Sequence, residues 1–185
     1  MALKATIFKA ELQIADMDRN YYATHALTLA QHPSETDERM MLRVLAFARH
    51  ASDTLAFTKG LSTDDEPDLW QKDLTGAIEL WIELGQPDEK RLRKACGRAR
   101  QVVVYCHSGH SAELWWQKSR DKLERFGNLS VINVPADAGQ NAGKLAQRNM
   151  QLQCTLQDGH IWLANATDSV TIEPEIWKQA NTQYG

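Results

Sequence analysis

Carboxylates in one short stretch of the chain have a spacing that suits a metal ion. Residues 66–87 read EPDLWQKDLTGAIELWIELGQP, with Asp68 before a turn and with Glu79 and Glu83 after it. Residues two apart in a strand share a face, so both glutamates point the same way, and Asp68 on the preceding strand would lie across from one of them. Two neighbouring carboxylates repel unless a cation lies between them, and Mg²⁺ needs only one or two of them plus water. The stretch therefore predicts a Mg²⁺ site, although acids on a solvated sheet face would show the same pattern.

The alternate residues of the second strand predict how that strand packs. The even-numbered residues in 78–84 are Ile, Leu, Ile and Leu, and they point to the face opposite Glu79 and Glu83. If this apolar face packs against helices, the face that carries the glutamates and Trp81 looks into a cleft or into solvent.

The rest of the sequence predicts the elements that position these acids. Alternating or continuously apolar runs predict strands, and apolar residues at helical spacing behind acidic starts predict helices. The predicted strands cover residues 3–14, 21–30, 54–58, 67–71, 77–85, 101–106, 128–134, 151–157 and 160–165. The first two are predicted to pair as a hairpin. Helices are predicted after the caps Ser34 and Ser111 and after Asp88, with a short helical piece at 144–150. Because strand–helix–strand connections within one sheet require a parallel pair, the predicted fold class is α/β, with a mixed central sheet flanked by helices.

Length and composition favour a single domain over residues 1–185, with N-terminal strands and a C-terminal hairpin extension. The chain is 43% hydrophobic and has a formal net charge of -3, which argues against a general nucleic-acid coating protein. Cys96, Cys106 and Cys154 form no CxxC pair, so we interpret them as reduced thiols of a cytoplasmic protein. No apolar run approaches the roughly 20 residues that span a bilayer, so no membrane association is expected.

The order of elements around the acids resembles the core of the PD-(D/E)xK nuclease superfamily. Residues 34–106 follow that order, Pro67-Asp68 resembles the PD motif, and Glu83-Leu84-Gly85 resembles (D/E)xK. The stretches HPSETDERMMLRVLAFA, DDEPDLW and IELWIELGQPDEKRLRKA closely resemble the bacterial YaeQ family, and this resemblance extends over essentially the entire chain. It implies a restriction-endonuclease-like core with extra antiparallel strands.

The resemblance also implies roles for individual acids. Asp68 and Glu83 match the metal carboxylates of the superfamily, so Mg²⁺ is the implied cofactor. Glu38 matches an acid that some members add from the first helix, and it is a further candidate catalytic residue. As an alternative, Glu38 is a surface acid paired with Arg39 or Arg43.

The chain departs from the motif at its lysine, because Gly85 occupies that position. In the superfamily the lysine is sometimes supplied from elsewhere. One candidate is Lys72, on the strand of Asp68. The others lie on the helix that follows, where Arg91 and Lys94 are favoured over Lys90 as the catalytic cation.

The same helix is strongly basic and suggests a contact with nucleic acid. Lys90, Lys94 and Arg98 fall on adjacent faces at helical spacing, and backbone phosphates dominate nucleic-acid affinity. Lys90 and Arg98 are therefore candidate nucleic-acid-binding residues, and Trp81 is the tryptophan that could stack on a base. The alternative is an amphipathic helix whose charged face is only solvated.

The segment CHSGHS joins a predicted strand to a predicted helix and carries polar groups of its own. Cys106, His107 and His110 lack a fourth ligand and the usual zinc spacing, so no zinc site is expected. Ser108 and Ser111 could bind an anion at the start of the helix.

Two functions are compatible with these residues. The first is Mg²⁺-dependent hydrolysis of phosphodiester bonds in DNA or RNA, with Asp68 and Glu83 as metal ligands. The second is a non-catalytic protein that keeps the fold, has lost the lysine at Gly85, and binds nucleic acid or acts in association with transcription. No protein partner is predicted.

Overall fold

A computed structural model describes residues 4–59 and 65–181 and resolves two compact units. The first unit is formed by the chain up to Ala51 together with Asp137–Pro174, and the second by Ser52–Ala136 together with the chain from Glu175 onward. That the whole chain acts as a single domain stays a prediction. Gly60, predicted to end a strand, and Asp64, from the acidic stretch before Asp68, lie outside the described residues.

The described residues form eleven strands and four helices. In chain order these are β1 (Thr6–Asp16), β2 (Tyr21–Gln31), α1 (Asp37–His50), β3 (Leu55–Phe57), β4 (Leu69–Lys72), β5 (Ile78–Leu84), α2 (Glu89–Arg98), β6 (Ala99–Cys106), α3 (His110–Leu123), β7 (Leu129–Asn133), α4 (Ala136–Gly143), β8 (Asn149–Gln157), β9 (His160–Ala164), β10 (Ser169–Ile172) and β11 (Glu175–Lys178). In the part of the chain described, no helix combines the length and apolar composition needed to cross a bilayer.

The first unit contains a five-stranded sheet in the order β10-β9-β8-β1-β2. Strands β1 and β2 form the predicted antiparallel hairpin, and β8 and β9 form the second predicted hairpin. Asp158 and Gly159 at its turn both have positive φ, 53° and 77°, as a two-residue type I′ turn requires. Because β1 also pairs in parallel with β8, the N-terminal and C-terminal strands close into a sheet of their own.

Helix α1 belongs to the first unit and departs from the sequence prediction in two ways. Its cap is Thr36, whose hydroxyl accepts from the Arg39 N–H at 3.1 Å. The predicted cap, Ser34, instead bonds the ring of His32. In addition, the consecutive residues 40–48 are all buried, so the helix has a fully covered central stretch where the sequence predicted a single apolar stripe.

The second unit contains a six-stranded sheet in the order β11-β7-β6-β5-β4-β3. Strands β5, β6 and β7 are parallel and are joined through α2 and α3, as predicted. Both helices cover the same face of the sheet, where they bury one apolar cluster. This cluster contains Trp81, Leu92, Ala95, Ala99, Val102, Val104, Cys106, Ala112, Leu123, Leu129 and Val131.

The α/β class is therefore confirmed, but the strands form two mixed sheets where the sequence predicted one central sheet. Two local predictions are wrong as well. Helix α3 begins after Gly109, because the hydroxyl of the predicted cap Ser111 bonds Gln86. The helical piece predicted at 144–150 lies earlier, at Ala136–Gly143, and Asn149 already begins β8.

Candidate active site

Strand β5 buries the face that was expected to look into a cleft or into solvent. Trp81 is 2% exposed and Glu83 is 4% exposed, and Trp81 packs in the cluster that includes Leu92 and Ala95 of α2. The expectation that this face looks into a cleft or into solvent, which assumed that the opposite face packs on the helices, is therefore wrong. A tryptophan buries more apolar surface than any aliphatic side chain on the strand, and its burial brings the neighbouring carboxylate under α2.

Asp68 reaches the same place from the start of β4. The next residue, Leu69, pairs with Ile82, and the Asp68 N–H donates to the Ile82 carbonyl at 3.0 Å. The Asp68 carboxylate is 6% exposed and accepts the Leu84 N–H at 2.8 Å through Oδ2. Asp68 is thus anchored to both neighbours of Glu83 on β5.

Glu79, the other acid on this face, has a different environment. Its carboxylate accepts a hydrogen bond from the Gln71 side chain at 2.8 Å and is only partly buried. Of the two glutamates that Asp68 was expected to face, the register therefore selects Glu83.

Arg91 is the basic residue of α2 that reaches the carboxylates. Its Nε donates to Glu83 Oε1 at 2.6 Å, and its Nη2 donates to the Glu66 carbonyl at 2.9 Å. The side chain of Asp88 caps the helix by accepting the Arg91 N–H at 2.8 Å, which fixes the start of α2 beside the end of β5. Of the three residues considered as the cation, Lys90, Arg91 and Lys94, Arg91 is the one that contacts Glu83; its catalytic role stays a prediction.

Glu83 receives a second donor from its own strand. The indole Nε1 of Trp81 donates to the same oxygen, Oε1, at 2.9 Å. Sequence reasoning did not assign this role to Trp81, although the shared strand face was the available signal. Because its ring faces the core, Trp81 presents little surface to a base in this conformation.

Opposing influences act on the pKa of Glu83. Burial raises the pKa of Glu83 above its usual range, and the negative charge of Asp68 raises it further. The ion pair with Arg91 and the hydrogen bonds from Arg91 and Trp81 act in the opposite direction, but their combined effect is smaller. A buried carboxyl group with a perturbed pKa beside a second carboxyl group is a common feature of functional sites.

The other predicted cations of this region lie elsewhere. Lys94 is exposed, with its Nζ 3.9 Å from an Asp65 oxygen, and Lys90 is also exposed. Arg98 donates to the Asp65 carbonyl at 2.8 Å, and its guanidinium lies 5.1 Å from the ring centre of Trp81.

The remaining candidate for the missing motif lysine was Lys72. Its ammonium group lies 3.8 Å from the centre of the Trp70 ring, in a cation–π contact. The structure therefore brings Asp68, Glu83 and Arg91 together within the second unit.

Glu38 lies in the first unit, on the first turn of α1. A Cβ atom at Gly139 would lie 2.8 Å from Glu38 Oε1, and one at Gly143 would lie 2.9 Å from Glu38 Cα. Two glycines of α4 thus allow this close approach to α1, and the resulting burial raises the pKa of Glu38.

Arg39 and Arg43, the ion-pair partners considered for Glu38, both bind Glu35. Arg43 contacts both carboxylate oxygens of Glu35, at 2.6 and 3.0 Å, and Arg39 contacts one of them at 2.7 Å. Sequence reasoning missed this network. The signal that could have found it is the spacing of four and eight residues between the acid and the two arginines.

The donor set at Asp68 and Glu83 suits a hard divalent cation. Two carboxyl groups lie beside one guanidinium, and Glu83 uses only Oε1 for its two hydrogen bonds. Within residues 4–59 and 65–181, no group of three or more His, Cys, Asp or Glu could hold a metal ion. The protein ligands would therefore be these two carboxylates, a number that is sufficient for Mg²⁺.

Comparison with known proteins identifies the family. The family model described as YaeQ protein matches residues 1–174. The chain belongs to the YaeQ family. A YaeQ relative from Salmonella typhi is 49% identical over 181 residues, which cover 97% of this chain and 99% of the relative. A YaeQ relative from Escherichia coli K12 is 46% identical over 179 residues, with the same coverage. Both are described as uncharacterized.

Solved YaeQ structures share the fold. The crystal structure of YaeQ from Xanthomonas axonopodis pv. citri is 53% identical, covers 95% of this chain and 99% of its own, and has a TM-score of 0.92. That of YaeQ from Pseudomonas syringae is 30% identical, covers 98% of both chains, and has a TM-score of 0.91. The mixed α/β architecture is therefore that of the YaeQ family.

Proposed function

We propose that the second unit has a restriction-endonuclease-like core of the PD-(D/E)xK type and hydrolyses phosphodiester bonds of nucleic acid with Mg²⁺. The observation that carries this proposal is the contact between Arg91 and Glu83 beside Asp68. It supplies from α2 the cation that the motif lacks at Gly85. An acidic pair with an adjacent cation is the arrangement that this chemistry needs.

Each residue has a role that its environment supports. Asp68 and Glu83 would hold Mg²⁺, which when bound polarises a phosphoryl oxygen and activates water. The Asp68 carboxylate is oriented by the Leu84 N–H, and the Glu83 carboxylate by Trp81. The guanidinium of Arg91 can stabilise the negative charge that develops on the phosphate.

Helix α2 offers further cations to a nucleic-acid backbone. Lys90, Lys94 and Arg98 are exposed and recur every four residues, so they span ~12 Å along the helix axis. We assign these three residues to contacts with phosphates. That Lys94 and Glu38 are additional catalytic residues stays a prediction.

Cleavage of labelled DNA and RNA oligonucleotides with Mg²⁺ or Mn²⁺ tests the proposal. We expect the unmodified protein to cleave at least one of them, and Asp68→Asn, Glu83→Gln and Arg91→Met to reduce the rate at least about 100-fold. Arg125→Met is the matched control. Arg125 pairs at the surface with Glu89 of α2, the helix that carries Arg91, and it should be dispensable for cleavage. A pure, folded protein that cleaves neither substrate would rule out the nuclease.

The second candidate function is that of a non-catalytic nucleic-acid-binding protein. The same ion pair favours it, because Arg91 neutralises Glu83 without a metal and both carboxylates are buried. A titration with Mn²⁺ followed by calorimetry separates the two functions. Binding of Mn²⁺ that is lost in Asp68→Asn supports the nuclease. Nucleic-acid binding without metal binding or cleavage supports the second candidate.

A further inference from the structure

The carboxyl ends of three parallel strands meet at one edge of the sheet in the second unit. Strands β5, β6 and β7 end at Leu84, Cys106 and Asn133, and the helices that follow return over the same face. In open α/β sheets, ligands bind outside the carboxyl ends of the strands, because the loops and helix N-termini there present free backbone groups. This edge therefore presents free backbone groups to a ligand.

Helix α3 begins at this edge without a side-chain cap. The side chains of Thr36 and Asp88 accept a first-turn N–H of α1 and α2, whereas Gly109 makes no such bond for α3. The N–H groups of residues 110–112 have no acceptor in the part of the protein that the structure describes. Free N–H groups at the N-terminus of a 14-residue helix attract an anion through both hydrogen bonding and the helix dipole.

Asn133 supplies a second and independent observation. It is 4% exposed, and its Oδ1 is a buried atom for which the described residues provide no hydrogen-bond partner. A buried acceptor without a donor costs about 1–3 kcal/mol. Such an atom in a native protein therefore indicates a water molecule or a ligand that donates to it.

Strand parity directs the Asn133 side chain toward the start of α3. Asn133 is the register partner of Cys106, and it alternates with Leu129 and Val131, whose side chains pack in the same cluster as Ala112 of α3. The loop after Asn133 closes on the helix, because a Cβ atom at Gly109 would lie 3.3 Å from the Ala136 Cβ.

We propose that this edge binds a phosphate group that carries a P–OH, either as inorganic phosphate or as a phosphate monoester. The N–H groups at residues 110–112 hold the anionic oxygens, and Asn133 Oδ1 accepts the P–OH. Two acids lie at this edge. Glu113, in the first turn of α3, has its Oε2 3.5 Å from His110 Nδ1. Glu175 is the register partner of Asn133, and its Oε2 accepts from the Trp177 indole at 3.3 Å. The site shares no residue with the proposed nuclease and does not depend on it.

Titration of inorganic phosphate and of sulfate, followed by the assigned backbone amide resonances, tests the proposal at pH 7. Sulfate has the same size and shape but carries no proton at this pH, so it cannot donate to Asn133. We expect phosphate to shift the amides of residues 110–112 and to bind about tenfold more tightly than sulfate. The capped N-terminus of α1, residues 37–39, is the internal control and should not shift.

Two variants separate the contributions of Asn133 and the helix. Asn133→Leu should abolish the preference for phosphate over sulfate while keeping or raising the melting temperature. Ser111→Asp places a carboxylate in the first turn of α3, where it stabilises the helix. The substitution should lower the affinity for both anions at least about tenfold. Phosphoserine as a third ligand, titrated at about pH 5, where the monoester keeps its P–OH because its second pKa is about 6, distinguishes a monoester site from one limited to inorganic phosphate. No shift at 110–112, or equal affinity for phosphate and sulfate, would overturn the proposal.

Discussion

Each unit of this protein buries a glutamate against an arginine, and the two glutamates differ in how many hydrogen bonds their carboxylates receive from arginine. In the first unit, Glu35 contacts two arginines through both of its oxygens, and the guanidinium of Arg43 is itself buried and also donates to the Ala30 carbonyl. In the second unit, Glu83 contacts one partly exposed arginine through one oxygen and lies within electrostatic range of a second carboxylate.

The difference indicates what each pair is for. A fully hydrogen-bonded ion pair fixes the geometry of α1 relative to the strand before it, and removing the Glu35 charge would leave the buried guanidinium of Arg43 without this carboxylate. Burying a carboxylate next to another carboxylate destabilises the folded state. Protonation or a further cation relieves this destabilisation. The first pair is therefore structural, and the second is the better candidate for chemistry. The following experiments test this contrast.

The largest effect is expected from Glu35→Gln. The substitution leaves the buried Arg43 without its carboxylate, so the free energy of unfolding should fall by about 3–5 kcal/mol in urea denaturation. Glu89→Gln is the matched control, because it removes a glutamate that pairs with Arg125 at the surface, and it should cost less than about 1 kcal/mol. Equal losses in the two variants would contradict a structural role specific to Glu35.

Acid should weaken the first unit through His50. Burial, together with the charges of Arg49 and Arg19, lowers the pKa of His50 from 6.5 to about 3. Between these values the unfolded chain binds a proton that the folded chain does not, so stability is complete above pH 6.5 and is lost as the pH falls. The expected loss is about 1.4 kcal/mol per pH unit.

Denaturation of His50→Gln between pH 7 and pH 5 provides the check. Its stability should vary less with pH than that of the parent over this range. Hydrogen exchange measured along the chain should locate the acid-induced opening in the first unit. Parallel pH profiles of parent and variant would argue against His50.

The paired variant Asp68→Asn with Glu83→Gln should be as stable as the parent at pH 7 without metal, or more stable by roughly 1 kcal/mol. The folded-state pKa of Glu83 is raised above 4.5, so the folded chain holds the proton more tightly than the unfolded chain. The ionised Glu83 carboxylate therefore destabilises the folded protein as the pH rises above 4.5, and this effect is absent below that value.

Melting temperatures in EDTA at pH 7 and pH 4 test this sign. The advantage of the paired variant at pH 7 should shrink at pH 4. Glu79→Gln, which changes an acid of the same strand face outside the pair, should have little effect at either pH. A clear drop for the paired variant at pH 7 would show that these acids are structural, like Glu35.

The smallest effect is expected from thiol reagents. Burial raises the pKa of Cys96 to about 11 and those of Cys106 and Cys154 to about 12. Few thiolates therefore exist at pH 8, and iodoacetamide should modify none of the three in the native protein and all three in urea. At intermediate urea, the order in which Cys154 of the first unit and Cys106 of the second react reports which unit opens first. Rapid native labelling would contradict the buried positions.

Local patterns in the sequence predicted most of the elements correctly. The β1–β2 and β8–β9 hairpins, the parallel run β5-α2-β6-α3-β7 and the acid-to-base polarity of α2 all followed from periodicity and turn residues. These features depend on neighbours a few residues apart. The caps were less predictable, because Ser34 and Thr36 are both good caps and only the contact of Ser34 with His32 separates them.

The candidate site was predictable only in part. The sequence led to Asp68 and Glu83 and narrowed the missing cation to a few residues, because strand parity and helical spacing restrict where such side chains point. It did not distinguish Arg91 from Lys94, since that choice depends on how α2 rotates as Leu92 and Ala95 pack against the sheet. It also gave the wrong exposure for the face of β5, which is covered because the tertiary fold buries Trp81.

By itself, the sequence determined the family, the α/β class and the residues able to do chemistry, because these depend on composition, spacing and local geometry. Only the tertiary structure decided that the strands form two sheets and that Arg91 reaches Glu83. These outcomes depend on pairing between distant segments, such as β1 with β8, and on the balance between buried charges. Neither is encoded in a local pattern, because the partners meet only when the chain has folded.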